Sequence, residues 1–123
     1  MKQMHARLRA AACALGLAVA TGALAHAMLD HAAPRVGSSV RVAPDRVELW
    51  FSERLEPAFS TLKVLDSSGR QVDRRDASLD ADDHAHLTVS LTPLPRGSYR
   101  VVWRVVSVDT HSTTGDFVFE VAP

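Results

Sequence analysis

Three residues, two of them close in sequence and the third far away, carry donor atoms that suit a metal ion. Asp109 and His111 lie two apart in Ser107-Val108-Asp109-Thr110-His111, where a long alternating segment ends. In extended backbone such a pair points to one side, so a carboxylate and an imidazole would form half of a divalent-metal site. The simpler alternative is a turn, which Asp109 and Thr110 favour, with His111 merely exposed. The third residue is His26, which directly follows Ala23-Leu24-Ala25. That triplet is a small–x–small cleavage signal. Ahead of it lie basic Lys2, Arg7 and Arg9 and the apolar run Ala10 to Ala20, the layout of a secretory leader. The run is short for a membrane span, which needs ~20 apolar residues. Cleavage after Ala25 would free the α-amine of His26, and that amine and the ring Nδ1 can chelate one ion together. Cleavage after Ala23 would instead place the histidine third, but Thr21 fits the −3 position less well than Ala23.

One amine, two imidazoles and one carboxylate make a nitrogen–oxygen set suited to tetragonal Cu(II), the ion that heads the affinity order of divalent first-row metals. The amine must shed a proton to bind. Its reference pKa of ~7.7–8.0 predicts affinity that falls in acid. The single cysteine, Cys13, lies within the expected leader, so the processed chain would offer no thiolate, and its sole thioether would be Met28. Glu53, after Phe51-Ser52 at the end of an expected strand, is either a surface charge or a carboxylate facing the ion. His84 and His86 form a His-x-His pair that could chelate, although exposed loop histidines are the plainer reading. His31, near the expected processed terminus and beside Ala32-Ala33-Pro34, is too poorly constrained to assign.

The elements that must position these residues read as strands. Val47, Leu49 and Phe51 alternate with Glu48, Trp50 and Ser52. Leu62 and Val64, Leu87 and Val89, Tyr99 to Val105, and Phe117 and Phe119 keep the same period of two, the mark of half-buried strands. No segment after residue 25 sustains a helical period. Turn signals between short strands predict an all-β fold, a single Greek-key β-sandwich of immunoglobulin-like type with about seven short strands. Tyr99, behind Pro95-Arg96-Gly97, fits a tyrosine corner. Trp103 would fill the space between sheets, and Asp73 to Asp83 would be a solvated loop.

Without residues 1–25 the chain keeps 98 residues, enough for one modest core. It would carry 11 basic against 14 acidic residues, which argues against a nucleic-acid binder. It shows no nucleophile elbow, phosphate-binding glycine loop or zinc-protease helix motif.

The chain resembles the CopC-type periplasmic copper-resistance proteins. The resemblance rests on His26-Ala27, Pro34-x-x-Gly37, Leu49-x-Phe51-Ser52-Glu53, Gly97-x-Tyr99-x-Val101-x-Trp103-Arg104-Val105-Val106-Ser107, and Val108-Asp109-Thr110-His111-x-x-x-Gly115-x-Phe117-x-Phe119. It implies a leader over residues 1–25 and a copper-binding sandwich over residues 26–123. It also implies a Cu(II) site made by the amine and ring of His26 with Asp109 and His111, with Glu53 nearby. The implied role is carriage or sequestration of one copper ion in the periplasm, by a monomer and not an enzyme, with a CopD-type membrane transporter as partner. One departure stands out. Some members carry a methionine-rich Cu(I) loop, and here Lys63 to His86 contains no methionine, so no such site is expected. Two rival readings are a copper oxidase or monooxygenase of histidine-brace type and a metal-free immunoglobulin-like module. Against the former, Asp109 would fill the position that oxygen chemistry needs open.

Overall fold

In the computed structural model, residues 27–123 are described. The expected leader and His26 lie outside the described residues. The alternating segments become strands, β1 (Leu29–Ala33), β2 (Ser39–Val40), β3 (Arg46–Phe51), β4 (Thr61–Leu65), β5 (Ser78–Leu79), β6 (His86–Ser90), β7 (Gly97–Val106) and β8 (Ser112–Val121). One sheet has the order β1-β3-β6-β5 and the other β2-β8-β7-β4. Consecutive strands from β1 to β5 change sheet at every connection, the crossing habit of Greek-key sandwiches. The expected sandwich is therefore present, with eight strands in place of about seven, because β2 and β5 are two-residue pieces too brief to show a period.

Each inward-facing set predicted from the alternation is buried. Val47, Leu49 and Phe51, Leu62 and Val64, Leu87 and Val89, and Tyr99, Val101, Val105, Phe117 and Phe119 form one core between the sheets. The Tyr99 hydroxyl donates to the Pro95 carbonyl four residues upstream, making the tyrosine corner. Burial pushes this phenol above its ordinary range, so the hydroxyl stays a donor. The stretch Asp73 to Asp83 departs from its reading as a solvated loop. Ser78 and Leu79 add an edge strand beside β6. Asp73 is buried and accepts bonds from the Val64 amide at 2.9 Å, the Gln71 side chain at 3.0 Å and the Arg75 amide at 2.9 Å. A carboxylate given three donors can be buried, and composition alone cannot show which acidic residue of a run finds them.

The longest ladder joins β7 to β8, from Gly97 opposite Val121 to Val106 opposite Ser112. Within it Trp103 faces Gly115. The indole meets Phe51 edge-on at 6.1 Å and Phe117 at 6.0 Å. It lies over Gly115 so closely that an added Cβ there would stand 2.2 Å from Trp103 Cζ2. Gly115 is thus the slot into which the indole fits. Gly115→Ala should lower stability by about 1–3 kcal/mol through overpacking. Urea unfolding of the two proteins checks this, and equal midpoints would show that the indole moves aside without cost.

Candidate metal centre

The turn after β7 holds Asp109 and His111 side by side, although not as the spacing predicts. Val108 and Asp109 lie in a turn, and Thr110 adopts a left-handed φ of 73°, an uncommon conformation for a β-branched residue. Their side chains meet because the chain reverses, not because it is extended. Asp109 Oδ2 stands 3.3 Å from His111 Nδ1.

Ser107 organises this turn. It is fully buried, and its amide donates to the His111 carbonyl at 3.0 Å. The Ser107 hydroxyl donates to Asp109 Oδ1. The Thr110 amide donates back to the Ser107 carbonyl at 2.8 Å. The Ser107 hydroxyl, with the neighbouring imidazole as a lesser contributor, holds the Asp109 carboxyl below its usual range. Asp109 therefore stays an anionic oxygen donor well into acid.

Two further segments meet the turn. The Val108 amide donates to the Arg54 carbonyl at 3.0 Å, and Leu55 bridges to Ser107. Glu53 is thus one residue from a strand-like contact with the turn, yet among the described residues no three histidine, cysteine, aspartate or glutamate side chains converge as a metal cluster. The structure joins Asp109 to His111 and leaves Glu53 out of that pair. The second segment is the start of the described chain. Ala27 is buried in the core, and its carbonyl accepts the Thr113 hydroxyl at 2.9 Å. The Met28 amide donates to Ser52 Oγ at 2.9 Å, and the Ser52 amide donates to the Met28 carbonyl at 2.8 Å. The residue that follows His26 is therefore tied two positions from His111. An imidazole and a carboxylate beside the segment that enters at Ala27 suit a nitrogen–oxygen metal site that needs further donors.

The remaining histidines form a separate group. His86 is in β6 and half-buried, which corrects its reading as an exposed loop residue. Its ring stacks on Trp50 with centroids 4.4 Å apart, and His31 stacks on the same indole, also at 4.4 Å. Glu48 Oε1 lies 3.2 Å from His86 Nε2. The register pairs His31 with Trp50 and Trp50 with His86 across β1, β3 and β6. One ring either side of an indole cannot close on a single ion. His84 contributes its carbonyl to the Leu55 amide at 3.0 Å.

The hydroxyls of Ser52, Ser107 and Thr113 are absent from the sequence reading. Their only signals are position, Ser107 two before Asp109 and Thr113 two after His111, and serine or threonine there reads as ordinary strand surface.

Residues 29–122 match the CopC domain family model. The chain is 36% identical over 114 residues to copper resistance protein C of Escherichia coli, covering 87% of this chain and 90% of that one. It is also 36% identical over 98 residues to the copper transport protein CutJ of Bacillus subtilis, covering 79% of this chain but only 18% of that longer protein. Among solved structures, CopC from Methylosinus trichosporium OB3b superposes with a TM-score of 0.75 at 38% identity, covering 80% of this chain and 95% of that one. PcoC of Escherichia coli, described as a methionine-rich copper resistance protein, gives 0.70 at 36% identity, covering 80% of this chain and all of that one. With the family model spanning nearly all of the sandwich and the β7–β8 turn lying inside the match, the chain belongs to the CopC family of copper-binding resistance proteins.

Proposed function

We propose that this protein carries or sequesters one Cu(II) ion in the periplasm. The ligands are the α-amine and ring of processed His26, the Asp109 carboxylate and the His111 ring, with Glu53 at the rim of the site. The observation that supports this most directly is the Asp109–His111 pair at 3.3 Å beside the hydrogen bond from Thr113 to Ala27. Those contacts put a carboxylate and an imidazole where the chain leading to His26 enters. The donor set is hard-to-borderline nitrogen and oxygen, which favours Cu(II) over Cu(I). The stretch Lys63 to His86 has no methionine, so the chain lacks the thioethers of a methionine-rich Cu(I) loop. Copper is the cargo and no reaction is catalysed. In this reading the leader spans residues 1–25, the working domain spans residues 26–123, and the protein acts as a monomer. A CopD-type membrane copper transporter is the natural partner.

The amine gives the sharpest test. The processed protein should take up one equivalent of Cu(II) in a competition titration, and the same protein with one extra glycine before His26 should bind at least tenfold more weakly. Equal affinities would remove the amine from the ligand set. A second comparison separates the histidines. His111→Ala should lose most of the affinity, whereas His84→Ala should titrate like the parent protein.

The pH dependence has a definite sign. Asp109 has its pKa lowered by the Ser107 hydroxyl, so it remains ionised and ready to ligate down past the ordinary carboxylate range. Loss of copper in acid must then begin higher, where the amine, of reference pKa ~7.7–8.0, takes up its proton. Affinity measured in steps from pH 8.5 downward should fall from the start of the series. A profile that stays flat through the titration ranges of amine and imidazole and breaks only in strong acid would assign binding to carboxylates alone.

A further inference from the structure

The two sheets of the sandwich reach the Ala27–Met28 segment from opposite sides. On one sheet, β1 begins at Leu29, and Met28 exchanges two hydrogen bonds with Ser52, just past β3, donating to its hydroxyl and accepting from its amide. On the other, Thr113 is the second residue of β8, and its hydroxyl crosses the sandwich to the Ala27 carbonyl. Along β8 the half-buried residues Thr113 and Gly115 continue into buried Phe117 and Phe119, while Ser112, Thr114 and Asp116 face outward. Thr113 therefore points into the mouth of the sandwich, where the Ala27 methyl is itself part of the core. A valine of the same shape would fill the space but could not donate.

We propose that Thr113 is a positioning residue for the copper site. Its hydroxyl fixes the Ala27 peptide so that the amine of His26 is delivered to Asp109 and His111 already in place. The inference rests on the reading of His26 as a ligand. Its physical content is preorganisation: a ligand on a frayed chain end must be ordered when the ion binds, whereas a clamped one has been ordered by folding. Fixing the backbone of one residue costs ~1–2 kcal/mol, so loss of the clamp should weaken binding about tenfold. Ser52 holds Met28 on the other side, while the Ala27 carbonyl accepts the Thr113 hydroxyl.

The test uses the processed protein and Thr113→Val. In the metal-free state, amide exchange at Met28 should quicken, because the segment is then held from one sheet only. With Cu(II), affinity should fall about tenfold and the nitrogen hyperfine pattern in the electron paramagnetic resonance spectrum should change. Thr113→Ser should restore all three readouts, and Thr114→Val, on the outer face, should change none of them. If parent and Thr113→Val give the same Met28 exchange, or the same affinity and spectrum, Thr113 is only a strand residue and the proposal is overturned. A parent protein that holds no Cu(II) is a different failure. It would overturn the copper reading and with it any positioning role, while the exchange comparison would still show whether the clamp itself exists.

Discussion

The ladder between β7 and β8 is the constraint on which the site depends. Ten consecutive pairs lock these strands from Gly97 opposite Val121 to Val106 opposite Ser112. A slip of one residue would turn one strand's inward set out of the core, either Tyr99, Val101 and Val105 of β7 or Phe117 and Phe119 of β8. The indole of Trp103 adds a steric lock, since it fits only over a residue without a side chain and Gly115 is directly opposite. With register fixed in this way, the few residues between Val106 and Ser112 have little freedom. The buried Ser107 then divides its hydrogen bonds between the turn's backbone and the Asp109 carboxylate. Packing deep in the sandwich and the placement of two donor atoms at its edge are thus one problem, solved by the same pair of strands.

Electrostatics at that edge reinforces the geometry. The Ser107 hydroxyl keeps Asp109 ionised, and an ionised carboxylate beside an imidazole is a standing attraction for a cation. No buried cationic side chain competes for it in the described core, where the buried polar residues are Asp73 and Ser107. The other carboxylate–imidazole contacts are organised differently. His86 stacks on the face of Trp50, with its Nε2 3.2 Å from Glu48 and its Nδ1 4.0 Å from Asp80. There the imidazole already has a carboxylate near each nitrogen and an indole on its face, so it serves the outer surface of the sheet. The two places use the same residue types, and what separates them is whether chain arriving from elsewhere can add donors.

Much of this was legible in the sequence because period-two alternation reports burial directly. Val47 to Phe51 and Tyr99 to Val105 could be assigned to the core from their spacing, and the tyrosine corner from Pro95-Arg96-Gly97 before Tyr99. The pairing of Asp109 with His111 was legible too, but for an incomplete reason. The same-side rule for strands gave the right neighbours, while the actual contact comes from a turn with a left-handed Thr110. What sequence could not carry were contacts that depend on tertiary register. Nothing local marks His31, Trp50 and His86 as a stack, Asp73 as the acidic residue that finds three donors, or Thr113 as the hydroxyl that crosses to Ala27. Each pairs residues from elements that alternation alone cannot align.

A ligand set built on a chain terminus imposes an order of events. The turn with Asp109 and His111 and the clamp on Ala27 require only the folded sandwich. The amine requires cleavage of the Ala25–His26 bond. An amide nitrogen in an intact peptide is a far poorer donor than a free amine, so in the proposed reading the precursor offers at most an imidazole, a carboxylate and a second imidazole. In that reading folding would prepare the receiving half and processing would complete it, confining tight Cu(II) binding to the compartment where the leader is removed. The arrangement also explains why the strands put their precision into the mouth of the sandwich. A terminus has no chain on its far side to hold it, and in the proposed reading the hydrogen bonds from Thr113 to Ala27 and from Met28 to Ser52 would supply that restraint.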